Sequence, residues 1–207
     1  MKSERKTDWA EIRSEIATAA ARMIAEEGVS YESAKKRGAR QILGNGRING
    51  NFLPDNQQIE DELRIYQALF MADTQPERLL HLRRLALEMM HELAEFQPYV
   101  TGAVLNGTAG EMSDIHLQLF ADSAKDVEIF LLNRNFDITV SEAVSSSRSR
   151  VQPTENIHFY HKGEVFHLVV YEHDDLRKMA RASDTVPQRA DSRELEQLII
   201  SADTKTD

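Results

Sequence analysis

Aspartate and histidine are the residue types whose spacing points to chemistry in this chain. Asp114 and His116 stand two apart at the head of Ile115-His116-Leu117-Gln118-Leu119-Phe120, which alternates apolar and polar side chains as a half-buried strand does. Residues i and i+2 of a strand share a face, so the Asp114 carboxylate and the His116 imidazole project side by side. A second alternating run, Val165-Phe166-His167-Leu168-Val169-Val170, carries His167. If the two strands are neighbours, Asp114, His116 and His167 form a facial set of one carboxylate and two imidazoles. That donor set suits zinc, nickel, copper or iron, whereas Mg²⁺ is a hard ion that prefers oxygen. A divalent metal is therefore the cofactor these residues suggest, with Asp114 as the candidate catalytic group. The plainer alternative is a wet sheet face on which the histidines hold no ligand. Five of the seven histidines fall between residues 116 and 173, namely His116, His158, His161, His167 and His173. His158 and His161, three apart on an extended segment, must face opposite sides.

Several other chemistries are excluded. The chain has no cysteine, which removes a thiol nucleophile, a disulfide scaffold and Cys-ligated metal sites. It has no His-Glu-x-x-His, no Gly-x-Ser-x-Gly and no Gly-Lys-Ser or Gly-Lys-Thr. A net charge of −9 argues against a general nucleic-acid binder. The first fifty residues nevertheless hold ten Lys and Arg against seven Asp and Glu. One tight basic cluster, Lys35, Lys36, Arg37 and Arg40, reads as a solvated helix face or as a phosphate or partner contact. No apolar run approaches the roughly 18 residues of a membrane span. Thr7-Asp8-Trp9-Ala10-Glu11 follows the basic start in place of an apolar stretch, so no signal peptide is expected and the compartment reads as cytoplasmic.

The elements that must position these residues fall in two groups. Apolar positions recur at three and four over 7–27 (Trp9, Ile12, Ile16, Ala19, Ala20, Met23, Ile24), with Thr7 or Asp8 as cap and Gly28 as stop. Ser30 caps a second helix to residue 42, a Gly- and Asn-rich loop covers 44–51, and further helices follow over 56–71 and 76–95, ended by Pro98. Beyond Pro98 the period changes. Strands are predicted over 99–105, 115–120 and 137–143, with a Ser123-capped helix to residue 133 between the last two and a polar loop at 145–150. A hairpin joins 156–161 to 164–171 through Lys162-Gly163. Asp174 opens a short helix, 181–189 is irregular, Asp191 with Glu194 caps a final helix of about eight residues, and 204–207 is frayed. The fold class is α+β. Residues 1–98 are an N-terminal helical region, expected to bury its stripes on a mixed-sheet α/β domain of residues 99–207.

The run Val104-Leu105-Asn106-Gly107-Thr108-Ala109-Gly110-Glu111-Met112-Ser113-Asp114-Ile115-His116 resembles the nucleotidyltransferase fold of the DNA polymerase β superfamily. There a strand leads into a Gly-Ser turn and the next strand carries paired carboxylates. The resemblance implies a ligand-binding role for Gly107, Thr108 and Ser113. The glycine lets backbone approach phosphates, and the turn's N–H groups and hydroxyl make an anion cradle. It also implies a two-metal centre for in-line displacement at phosphorus. The chain departs from that pattern: Asp114 keeps the first carboxylate, while His116 and His167 stand where the second and third belong. Only five residues separate Thr108 from Asp114, a shorter connection than such enzymes usually have.

Over nearly its whole length the chain also resembles a proteobacterial group of similar size with no assigned activity. The residues that carry this are Ala25-Glu26-Glu27-Gly28, Ala34-Lys35-Lys36-Arg37-Gly38-Ala39-Arg40-Gln41, Leu53-Pro54 and Tyr66-Gln67-Ala68-Leu69-Phe70, with the run from Val104 onward. Some members are labelled UDP-N-acetylmuramate–alanine ligase, a name the missing Gly-Lys-Ser/Thr loop does not support. Four readings follow. The first is a nucleotidyltransferase-like protein with a degenerate centre that binds a nucleotide or another phosphorylated ligand. The second is a cytosolic interaction module with a protein partner or a second copy of itself. The third is a transition-metal-dependent phosphoryl or nucleotidyl transferase. The fourth is a DNA-binding regulator, since residues 16–28 are similar to the first helix of tetracycline-repressor-like proteins. The unbroken helix through Lys35 and Arg40 and the acidic total oppose that last reading.

Overall fold

The computed structural model describes residues 2–44, 50–142, 153–181 and 188–204. Most of the expected loop at 44–51, the polar loop at 145–150, most of the irregular 181–189 segment and the last three residues lie outside the described residues. The chain forms two compact units, Met1–Arg78 with Gly110–Met112, and Leu79–Ala109 with Ser113–Asp207. The division thus falls at Arg78 and Leu79, ahead of the Pro98 boundary expected from the change of period.

The first unit holds α1 (Lys2–Glu27), α2 (Tyr31–Leu43) and α3 (Asn56–Phe70). α1 begins well before Thr7, because residues 2–6 contain nothing that breaks a helix and several good formers. Its small residues Ala17, Ala20 and Ala21 pack with Ala34, Ile59 and Leu63 in one buried cluster. The three helices therefore bury these residues on one another. Gly38 marks a close approach of α2 to α1: a Cβ there would lie 3.1 Å from the Ile16 carbonyl oxygen. Asp55 and Gln58 form a capping box at the start of α3, and Ser30 accepts from the Ser33 amide at the start of α2. Two members of the basic cluster are paired locally, Lys36 with Glu32 at 2.5 Å and Arg37 with Glu27 at 2.7 Å. α2 runs without a break, so it lacks a helix-turn-helix.

The second unit takes in most of α4 (Gln75–Glu92) and then β1 (Tyr99–Thr101), α5 (Gly102–Asn106), β2 (Ile115–Ala121), α6 (Ala124–Asn133), β3 (Ile138–Glu142), β4 (Glu155–His161), β5 (Glu164–Glu172), α7 (Asp175–Arg181), β6 (Arg189–Ala190) and α8 (Ser192–Asp203). The chain is thus α+β, with a six-stranded mixed sheet in the order β3-β4-β5-β2-β1-β6. β2 and β5 pair in parallel and the other neighbours pair antiparallel. Residues 99–105 are not one strand: β1 ends at Thr101 and α5 follows at once. Gly102 adopts φ +68, a turn out of the sheet that bulky residues rarely make. Arg83 then donates to the Val104 and Leu105 carbonyls at 3.0 and 3.2 Å, which satisfies the open end of the short helix. The β4–β5 hairpin turns through Lys162 (φ 49) and Gly163 (φ 89), two positive φ values as a type I′ turn requires. A capping box of Asp191 and Glu194 starts α8, which runs to Asp203, longer than expected.

One face of the sheet is the core. Ile115, Leu117 and Leu119 of β2, Phe166, Leu168 and Val170 of β5, and Ile157 and Phe159 of β4 pack with Leu82, Met89 and Met90 of α4. Each fully buried side chain of this size contributes roughly 1.5–3 kcal/mol over its exposed state. The opposite face of the same strands carries His116, His167 and His158. No described helix is long and apolar enough to cross a membrane.

Candidate functional site

Register decides which polar side chains meet. Thr101 of β1 pairs with His116 of β2, His116 with His167 of β5, His167 with His158 of β4, and His158 with Thr139 of β3. Directly paired residues share a face, so three imidazoles lie in one row across the three central strands. Asp114 sits just before β2, and its Oδ2 is 2.7 Å from His167 Nε2. His167 Nδ1 is 2.6 Å from His158 Nδ1, and His158 Nε2 is 3.4 Å from Ser141 Oγ on β3. His116 lies flat on His167, ring centroids 4.6 Å apart and planes 9° from parallel. A Cβ added at Gly102, at the start of α5, would meet His116 Cδ2 at 3.9 Å.

Burial dominates the electrostatics. It pushes the His116 imidazole down to about 4, and the neighbouring His167 and His158 add to that against the opposing pull of Asp114. His158 is also pushed below its usual value, first by burial and then by His167. Both rings are therefore neutral near pH 7.

The expected metal set does not converge. Two ligands at 2.0–2.1 Å on a tetrahedral zinc stand about 3.3 Å apart. The contacts from His167 to Asp114 and His158 are far shorter, at hydrogen-bond length. Lone pairs of imidazole lie in the ring plane, so the parallel rings of His116 and His167 aim theirs side by side, not at a shared atom. Among the described residues no group of three His, Cys, Asp or Glu side chains is arranged to hold a metal ion. Asp114, His116 and His167 come together as expected, but as a hydrogen-bonded and stacked cluster.

The Gly107-Thr108 turn also differs from its expected role. The N–H groups of Gly107, Thr108 and Ala109 all point to the Ala103 carbonyl, at 3.0, 3.0 and 3.1 Å. Asn106 Oδ1 accepts from both the amide and the hydroxyl of Thr108, at 3.0 and 2.7 Å. Thr108 is only 2% exposed. Gly107 takes φ 88 as the left-handed cap of α5. These donors close the end of α5 and do not form an open anion cradle. Ser113 adjoins Asp114 ahead of β2.

Three residues of this face were not selected from sequence. His158 was set aside because it faces away from His161, and so it does: His161 packs against Phe136 and Phe166 on the core side. Yet a two-residue turn at Lys162-Gly163 already fixes His158 opposite His167 by counting back along both strands. Ser141 gave no such signal, because β3 and β4 are joined by a longer connection. Gln118, two residues beyond His116 on the same face, is buried with its side-chain oxygen unpaired among the described residues. No protein-family model matches the sequence, and no curated protein matches it.

Proposed function

We propose that this chain is a nucleotidyltransferase-like protein whose metal centre has been replaced by a metal-free carboxylate–imidazole cluster, and that it binds a nucleotide without transferring from it. The observation that carries this reading is the 2.7 Å contact of Asp114 with His167, made where the resembled enzymes place carboxylates around metal ions. Imidazoles in place of two carboxylates leave Asp114 as the one carboxylate of the set. Asp114 repels phosphate and suits donors, so the ribose hydroxyls or base N–H groups of the ligand face it. The Gln118 oxygen, unpaired among the described residues, is a second acceptor on the same face, and a buried acceptor of that kind marks a place where a ligand or water belongs.

The test is a thermal-shift panel with ATP, GTP, CTP and UTP, each alone and with Mg²⁺, Mn²⁺ or Zn²⁺. A ligand at about 100 times its Kd stabilises by roughly 2.7 kcal/mol, a shift of about 5–10 °C for a chain of this size. The expected result is a shift with nucleotide that needs no metal and is lost in Asp114→Asn. A shift that requires Zn²⁺ or Mn²⁺ and vanishes in His116→Ala would replace this reading with a metal-dependent transferase. No shift at all would replace it with an interaction module.

A further inference from the structure

The row has a direction. Asp114 accepts at Oδ2, so His167 carries a proton on Nε2, and in its Nε2–H tautomer it presents a bare Nδ1. His158 must then donate from Nδ1 to His167, and its Nε2 is left as an acceptor. The group that Nε2 faces is the hydroxyl of Ser141. In this tautomer set all three contacts, at 2.7, 2.6 and 3.4 Å, are hydrogen bonds. Ser141 Oγ–H donates to His158, His158 to His167, and His167 to Asp114. Ser141 lies on β3, the edge strand of the sheet, and is exposed. Its cross-strand partner is Asn156, so a side-chain amide stands beside it on the same face.

We propose that Ser141 is a nucleophilic hydroxyl and that the row is an acyl-transfer centre acting on a carboxylic ester. The inference shares Asp114 and His167 with the nucleotide-binding reading but adds a covalent step. Ser141 Oγ attacks the ester carbonyl carbon. Its proton passes to His158 Nε2 while the Nδ1 proton of His158 moves to His167 Nδ1. The positive charge then rests on His167, against the Asp114 carboxylate. The side-chain N–H of Asn156 donates to the developing oxyanion. The ester C–O bond breaks as the protons return along the row to the leaving alcohol. Water then attacks the acyl-Ser141 ester by the same route, releasing the acid and restoring the hydroxyl. Ser141 is the catalytic residue and His158 its base, while His167 and Asp114 position and charge that base. The 3.4 Å Ser141–His158 contact is the loosest in the row, as such contacts commonly are before substrate binds.

The full-length chain incubated with a fluorophosphonate probe tests this. The probe forms an O–P bond to an activated serine and releases fluoride. The expected result is one adduct by intact mass, mapped to Ser141 by peptide sequencing and absent in Ser141→Ala. The labelling rate should fall at least tenfold in His158→Gln. In Asp114→Asn the midpoint of the rate–pH profile should move to lower pH, because the carboxylate that favours the imidazolium is gone. A merely structural Asp114 would lower the rate and leave the midpoint in place. The groups facing His158 and bearing on that midpoint are His167 and His116 on the central strands, Asp114 ahead of β2 and Ser141 on β3. No adduct on wild-type protein whose circular dichroism shows it folded, or an adduct that persists in Ser141→Ala, overturns the proposal. A nucleotide shift without an adduct sinks this inference alone, and an adduct without a nucleotide shift sinks the binding reading alone.

Discussion

The two faces of the central strands are built from alternate residues of the same three segments, yet they are held by different physics. On the core face Leu117, Leu168 and Ile157 are fully buried, and any apolar side chain of similar volume would serve. On the other face His116 stacks on His167, and His167 meets His158 through a contact that depends on which ring nitrogen carries a proton. A slip of one residue would destroy both faces. A change of side chain leaves the first tolerant and the second not. The comparison teaches that alternation specifies the sheet, while register specifies the chemistry.

The largest effect should come from the core face. Phe166→Ala removes a fully buried ring and is expected to cost about 3–5 kcal/mol by urea denaturation, with an offset that does not depend on pH. The histidine face should instead respond to pH. The His116 value is depressed from 6.5 to about 4 in the folded state, so between those values the unfolded chain binds more protons than the native one. Stability conferred by the neutral ring is complete above pH 6.5 and is lost as pH falls toward 4, by about 3 kcal/mol in all. The difference between wild-type and His116→Asn unfolding free energies, followed from pH 7 to pH 4, should show that slope. A flat difference would mean that the ring is solvated in the native state.

Smaller changes separate the faces from the turn beside them. Gly102→Ala forces a left-handed φ on a residue with a Cβ, at a cost of about 1–2 kcal/mol. Thr108→Val deletes one hydrogen bond to Asn106 and should cost about 1 kcal/mol. If the turn only closes α5, Thr108→Val leaves any nucleotide-induced thermal shift intact, and a lost shift would return Thr108 to the ligand site.

Much of this was legible in the residues. The caps at Ser30, Ser123 and Asp191 act where the sequence placed them. So do the Lys162-Gly163 hairpin and the alternation that puts Asp114, His116 and His167 on one side. The break at Gly102 was not legible, because Ala103-Val104-Leu105 is apolar enough for a strand. What ends β1 is a glycine at positive φ and the distant Arg83 guanidinium, and periodicity sees neither. The fate of the Gly107-Thr108 donors was hidden for a related reason. A turn that cradles an anion and a turn that closes on its own carbonyl use the same residue types. The parallel pairing of β2 with β5, which brings Asp114 to His167, joins segments about fifty residues apart and leaves no local mark.

The central claim is that Asp114, His167 and His158 form a directed hydrogen-bonded row without a metal. A long-range proton–nitrogen correlation spectrum of the imidazoles at pH 7, recorded before and after one equivalent of Zn²⁺, tests it most directly. The expected result is His167 as the Nε2–H tautomer and His158 as the Nδ1–H tautomer, both unchanged by zinc. Averaged tautomers at either ring, or His116 and His167 nitrogens that shift together on adding zinc, would contradict it.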